Sequence, residues 1–133
     1  MLEGFVQIPI LSGSSFLSIT NHGLNFNKNV VKRMQQVEYV TMLINSDKKQ
    51  IAIQKCDKGT ADSIPFYHDE KNLKFGVRLN NREVQQMIIS MMNWNVNYYN
   101  YRADGFMIDD DTMVFDLSCA RKSAKKVRDT DKG

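Results

Sequence analysis

Apolar and polar positions along the chain follow one order of short patterns twice, first over residues 16–56 and again over residues 75–119. In the first stretch the run Phe16-Leu17-Ser18-Ile19-Thr20 predicts a strand. It closes at Asn21-His22-Gly23, where glycine accepts the positive φ that a β-carbon resists. Asn27 then offers a side-chain oxygen to the free amides of a helix start. Val30, Val31 and Met34 give that short helix an apolar side, while Lys28, Lys32 and Arg33 stay in water. Residues 39–44 and 50–56 are rich in β-branched and aromatic side chains and flank the polar Asn45-Ser46-Asp47-Lys48-Lys49, the pattern of a hairpin.

In the second stretch Phe75-Gly76-Val77-Arg78-Leu79 predicts the strand and Asn80 or Asn81 the cap. Val84, Met87, Ile88 and Met91 stand at i, i+3, i+4 and i+7, which is a helical stripe. Residues 101–108 and 113–117 then flank the acidic turn Asp109-Asp110-Asp111-Thr112 as a second hairpin. Matched positions such as Val30 with Val84, Met34 with Ile88 and Tyr39 with Tyr101 suggest duplication, and Cys56 and Cys119 fall at matching ends. The expected fold is therefore α+β. It has tandem strand-helix-hairpin units packed with pseudo-twofold symmetry, mostly antiparallel sheet and two main helices; a closed barrel of the swapped-hairpin kind is the alternative. Residues 1–120 are expected to form one domain and residues 121–133 a basic, mobile tail.

A chain of 133 residues with 42% hydrophobic and 25% charged side chains has the size and composition of one ordinary globular domain. Residues 5–11 read as a further strand, confined to an edge or a bulge by Pro9. No apolar run is long enough to cross a bilayer and no secretory signal is evident, so cytoplasmic residence without membrane attachment is expected. In that compartment the two cysteines are expected as free thiols.

The net charge of +3 divides unevenly, with +3 on residues 1–56, −4 on residues 57–117 and +4 on residues 118–133. Positive charge gathered at both ends is compatible with attraction to phosphate, through Lys28, Lys32, Arg33, Lys48 and Lys49 and through Arg121, Lys122, Lys125 and Lys126. The tail is equally compatible with a frayed, solvated terminus. The aromatic stretch after Trp94 offers Tyr98, Tyr99 and Arg102 as a contact surface for a protein partner or for bases, or as a lid on the core.

Candidate chemistry is sparse. Ser12-Gly13-Ser14-Ser15 lacks the second glycine and the lysine of a phosphate-binding loop, and the aspartate run lacks the glycine and glutamate of a calcium loop. His22 and His68 show none of the paired spacings of a zinc site, and His68 beside Asp69 and Glu70 reads as a solvated cluster. No catalytic residue, metal or cofactor is expected.

The run Thr20-Asn21-His22-Gly23-Leu24-Asn25-Phe26-Asn27-Lys28, followed by Val30 and Val31, resembles the AbrB/MazE-type swapped-hairpin family of transcription regulators and antitoxins. The resemblance implies a strand, a glycine turn, a lysine and a short helix followed by a hairpin, with Lys28, Lys32 and Arg33 facing DNA. The whole chain also resembles uncharacterised proteins of Gram-positive bacteria and their mobile elements. A non-enzymatic nucleic-acid-binding or regulatory module is the first expectation. A protein-interaction or inhibitor module using the Met- and Tyr-rich second half is the alternative.

Overall fold

The computed structural model describes residues 3–4 and 13–125. The strand expected over residues 5–11 and the basic residues Lys126 and Arg128 lie outside the described residues. Strand β1 (Phe16–Thr20) alternates strictly, with Leu17 and Ile19 fully buried and Phe16, Ser18 and Thr20 turned the other way. After Asn21-His22 the chain reverses into β2 (Gly23–Phe26), so the glycine begins a second strand as well as ending the first. The reason is local: Leu24 and Phe26 bury around the polar Asn25. Gly23 has a φ of 124°, and a β-carbon there would stand 2.9 Å from the Leu79 carbonyl oxygen.

Helix α1 (Lys28–Arg33) starts where the side-chain oxygen of Asn27 accepts from the Val30 amide. The same Asn27 oxygen accepts from the Phe16 amide and its amide nitrogen donates to the Ser14 carbonyl, so one side chain ties the helix start to the entry of β1. Strands β3 (Tyr39–Asn45) and β4 (Gln50–Cys56) form the expected hairpin. The short β5 (Ile64–Pro65) follows and pairs with β3.

Residues 71–75, the last of them expected in a strand, instead form helix α2 (Lys71–Phe75), and β6 begins only at Val77 (Val77–Leu79). The buried Asn72 decides this: its oxygen accepts from the His68 and Asp69 amides, and its nitrogen donates to the Gly76 carbonyl. Gly76, at φ 83° and ψ −164°, then ends the helix in a region open essentially to glycine alone. Helix α3 (Arg82–Met92) is capped by Asn81. Its stripe is shifted from the expected one: Ile88 is fully buried and Val84 and Met91 pack on the core, whereas Met87 is exposed and Gln85 is buried, donating to the Thr20 carbonyl. The second hairpin is β7 (Tyr99–Met107) with β8 (Thr112–Asp116). A 3₁₀ turn (Leu117–Cys119) leads to β9 (Arg121–Ala124), which pairs with β7. This corrects the expectation of a mobile tail from residue 121, because ladder bonds to β7 hold the first four of its residues.

Among the described residues nine strands form one sheet in the order β5-β3-β4-β8-β7-β1-β2-β6, with β9 added on β7, and every pair is antiparallel. The sheet is curled and its end strands β5 and β6 do not pair with each other, so it is an open half-barrel and not a closed one. The two ends approach across an apolar gap of only about 10 Å³ between Val40, Ile64, Phe66, Val77, Leu79 and Phe26. That is space for about one water. Phe26 closes this seam, with its ring 5.5 Å from Phe66 and 5.6 Å from Phe115; burying each such ring contributes about 2–3 kcal/mol.

Val30, Met34 and Ile88 are fully buried in one core, and Val84 packs against it. The two large hairpins lie side by side through β4 and β8, with Ile51 opposite Phe115 and Ile53 opposite Met113. Outside that centre the neighbours differ: β1 pairs with β7, whereas β6 pairs with β2 and β5 takes the place beside β3.

Candidate nucleic-acid interface

The strand period of two that buries Leu17, Ile19, Leu24, Tyr101 and Ala103 sends the residues between them to the sheet face turned away from the core. Register then aligns those residues across strands. Arg78 on β6 stands opposite Asn25 on β2, Asn25 opposite Ser18 on β1, Ser18 opposite Arg102 on β7, and Arg102 opposite Arg121 on β9. One register row therefore crosses five strands and carries three arginines. At a strand spacing of about 4.8 Å it is about 19 Å long.

Beside the row, Asn100 stands opposite Ser123. With Thr20, Ser18 and the arginines Arg102 and Arg121 they line an open hollow of about 450 Å³. A second hollow of about 200 Å³ shares Ser18 and Thr20 and reaches His22, Asn25 and Arg78, so the two form one trough.

The guanidiniums are differently held. Arg121 donates to Asp104 at 2.9 Å, an exposed pair of small energetic weight. Arg102 sits over the Phe16 ring, its central carbon 3.9 Å from the ring centroid. Among the described residues neither Arg78 nor Arg102 makes an ion pair. Arg78, Arg102 and Arg121 thus face a single carboxylate, amid amides and hydroxyls that both donate and accept.

The residues expected to touch nucleic acid are not brought together. Lys28 and Lys32 are exposed and Arg33 half-buried on α1, whose apolar side Val30 and Val31 enters the core. Lys48 is exposed in the β3–β4 turn, and the Lys49 ammonium donates to the Met91 carbonyl at 3.4 Å near the end of α3. Arg121 joins the row. Lys122, next along β9, stands opposite Tyr101, with its ammonium 4.4 Å from the Tyr99 ring centroid. Lys125 is held by its amide to the Tyr98 carbonyl, and Lys126 lies outside the described residues.

The three residues expected to meet a protein partner have different surroundings. Tyr98 is 68% exposed, Tyr99 leans on the buried Tyr101, and Arg102 belongs to the arginine row. Tyr101 itself stacks on Trp94 with ring centroids 4.1 Å apart, an aromatic lid on the core. Arg78, Asn25, Ser18 and Asn100 were absent from the expected set. Alternation around buried residues was their only signal in the sequence, and it says nothing about which strands become neighbours.

The remaining candidates have structural duties. The ring nitrogen Nδ1 of His68 lies 3.1 Å from the Phe66 carbonyl oxygen, and the hollow at Cys56 is lined by Gln36, Glu38, Tyr39, Asp57 and Lys58 without His68. Cys56 and Cys119 are both unpaired. Among the described residues no group of three His, Cys, Asp or Glu side chains is arranged to hold a metal ion, and no helix is long and apolar enough to cross a membrane. Comparison of the chain with protein-family models, with curated proteins and with solved structures gives no match.

Proposed function

We propose that this chain is a non-enzymatic nucleic-acid-binding module, of the kind that serves regulation in the cytoplasm, and that its contact surface is the arginine-bearing sheet face and not α1. The observation that carries this reading is the register row Arg78, Asn25, Ser18, Arg102 and Arg121. Guanidiniums match phosphate oxygens in bidentate fashion, and amides and hydroxyls between them suit sugar and base edges. The paired hairpins β3–β4 and β7–β8 support an origin by duplication within the same reading, the outer strands having since diverged.

Binding of labelled nucleic acid across a salt series tests the reading. Affinity falls as salt rises, and replacing Arg78, Arg102 and Arg121 together by Gln removes that dependence while leaving the unfolding transition in place. Absence of binding at low salt overturns it.

A second reading has its own observation. Leu43, Ala52, Val114 and Phe106 follow one another across β3, β4, β8 and β7 on the outer face, with Leu43 45% and Phe106 50% exposed. Such an apolar row suits a protein partner. A pull-down whose partner is lost on Phe106→Ser but kept in the arginine variant favours this second reading.

A further inference from the structure

The shape and chemistry of the arginine face narrow the ligand class, on the footing of the binding function proposed above. We infer that the trough takes single-stranded nucleic acid, with unpaired bases lying across the strands, and not a duplex.

Reading a duplex requires an element that enters a groove, and the major groove admits a helix or a two-stranded ribbon about 12 Å wide. Here the basic groups lie along a row about 19 Å long on the broad face of a sheet, and the helices α1 and α3 direct their buried sides into the core beneath it.

The row does supply what unpaired strands need. Single strands are held by a positive track together with flat surfaces on which bases stack, and Arg guanidinium planes serve as such surfaces. Arg102, its central carbon 3.9 Å from the Phe16 ring centroid, is a preformed surface of this sort within the track. Arg78 and Arg121 flank it in the row, Arg78 three strands away through β1 and β2 and Arg121 on the adjacent strand. Asn25, Asn100, Ser18, Thr20 and Ser123 stand where exposed Watson–Crick edges can pair with donors and acceptors of both kinds. No second strand is needed to fill the trough.

The test is fluorescence anisotropy on the full chain, with 12-nucleotide single strands of DNA and of RNA and with the duplex of the same DNA, from 50 to 200 mM salt. Both single strands bind at least tenfold tighter than the duplex. Two phosphate contacts, by Arg78 and Arg121, give a log–log salt slope of about −1.4, so the affinity falls about sevenfold over that range. Phe16→Leu keeps the apolar volume but removes the ring beneath Arg102, and lowers single-strand affinity about tenfold with the salt slope unchanged. Duplex bound as tightly as single strands, with dependence on the three arginines, overturns this inference and leaves the binding function standing. No binding of either form at 50 mM salt overturns both. If the triple arginine variant fails to fold, Arg78→Gln alone decides. It flattens the slope by about 0.7 if Arg78 is a phosphate contact, and an unchanged slope removes Arg78, and the inference, from consideration.

Discussion

Strand β7 carries two different surfaces on one side of the same sheet. Where it runs between β9 and β1 its outward residues are Asn100 and Arg102, and the neighbouring outward positions are Ser18, Asn25, Arg78 and Arg121. Where it runs beside β8 its outward residue is Phe106, followed across the sheet by Val114, Ala52 and Leu43. Backbone geometry is the same in both regions and the core lies beneath both. Side-chain choice on a face that folding leaves free is therefore what separates them, and the cluster of arginines with hydrogen-bonding groups is the more specific of the two. Asp104, between the regions, pairs with Arg121 and turns its charge toward the arginine side.

The largest effect is expected at Gly76, the joint that delivers β6 and Arg78 to the arginine region. A β-carbon there would collide with the Phe26 carbonyl oxygen, in a φ/ψ region that side-chain-bearing residues avoid. Gly76→Ala is expected to cost about 4 kcal/mol, combining backbone strain with overpacking. Urea unfolding measures it, and a loss below about 1 kcal/mol shows that β6 shifts freely. Next in size is Asn27→Ala. It removes the α1 cap and the side-chain partner of the Phe16 amide, and leaves the Ser14 carbonyl to the Asn29 amide nitrogen alone. About 2 kcal/mol is expected by the same measurement.

A paired change on β7 sharpens the contrast itself. Phe106→Ser is expected to cost about 1 kcal/mol through lost cross-strand packing on Val114, without altering nucleic-acid binding. Arg102→Gln is expected to change stability by about 0.5 kcal/mol or less while weakening binding. If the two substitutions affect binding equally, the outer face is not divided as described.

Much of this fold was legible because its signals are local. Both hairpins are flanked by β-branched and aromatic residues around polar turns, and Asn27 and Asn81 cap helices where their amides lead an apolar stripe. Local signals failed where a distant partner decided the outcome. Gln85 is buried because it donates to the carbonyl of Thr20, 65 residues away in the chain. The arginine row was hidden for the same reason. Arg78, Arg102 and Arg121 become neighbours in one row only through the pairings β2–β6, β1–β7 and β7–β9, whose partners are far apart in the chain.

The smallest expected effect lies at the far end of β8 and concerns pH. Asp116 accepts from the Ser118 hydroxyl and amide and from the Cys119 thiol, and these bonds, the Ser118 hydroxyl foremost, hold its carboxyl below the ordinary range. A carboxyl depressed in the folded state adds stability that is fully present above the unfolded value of about 3.9 and is lost as the pH falls through the folded one. Because the group is largely in water, the contribution stays below about 0.5 kcal/mol. Asp116→Asn should therefore lower stability slightly at neutral pH and flatten its decline below about pH 4. Thermal unfolding of both forms at pH 7 and pH 3 checks this. The variant's deficit should shrink on acidification, and a deficit that grows instead means that the carboxylate was not what the 3₁₀ turn relied on.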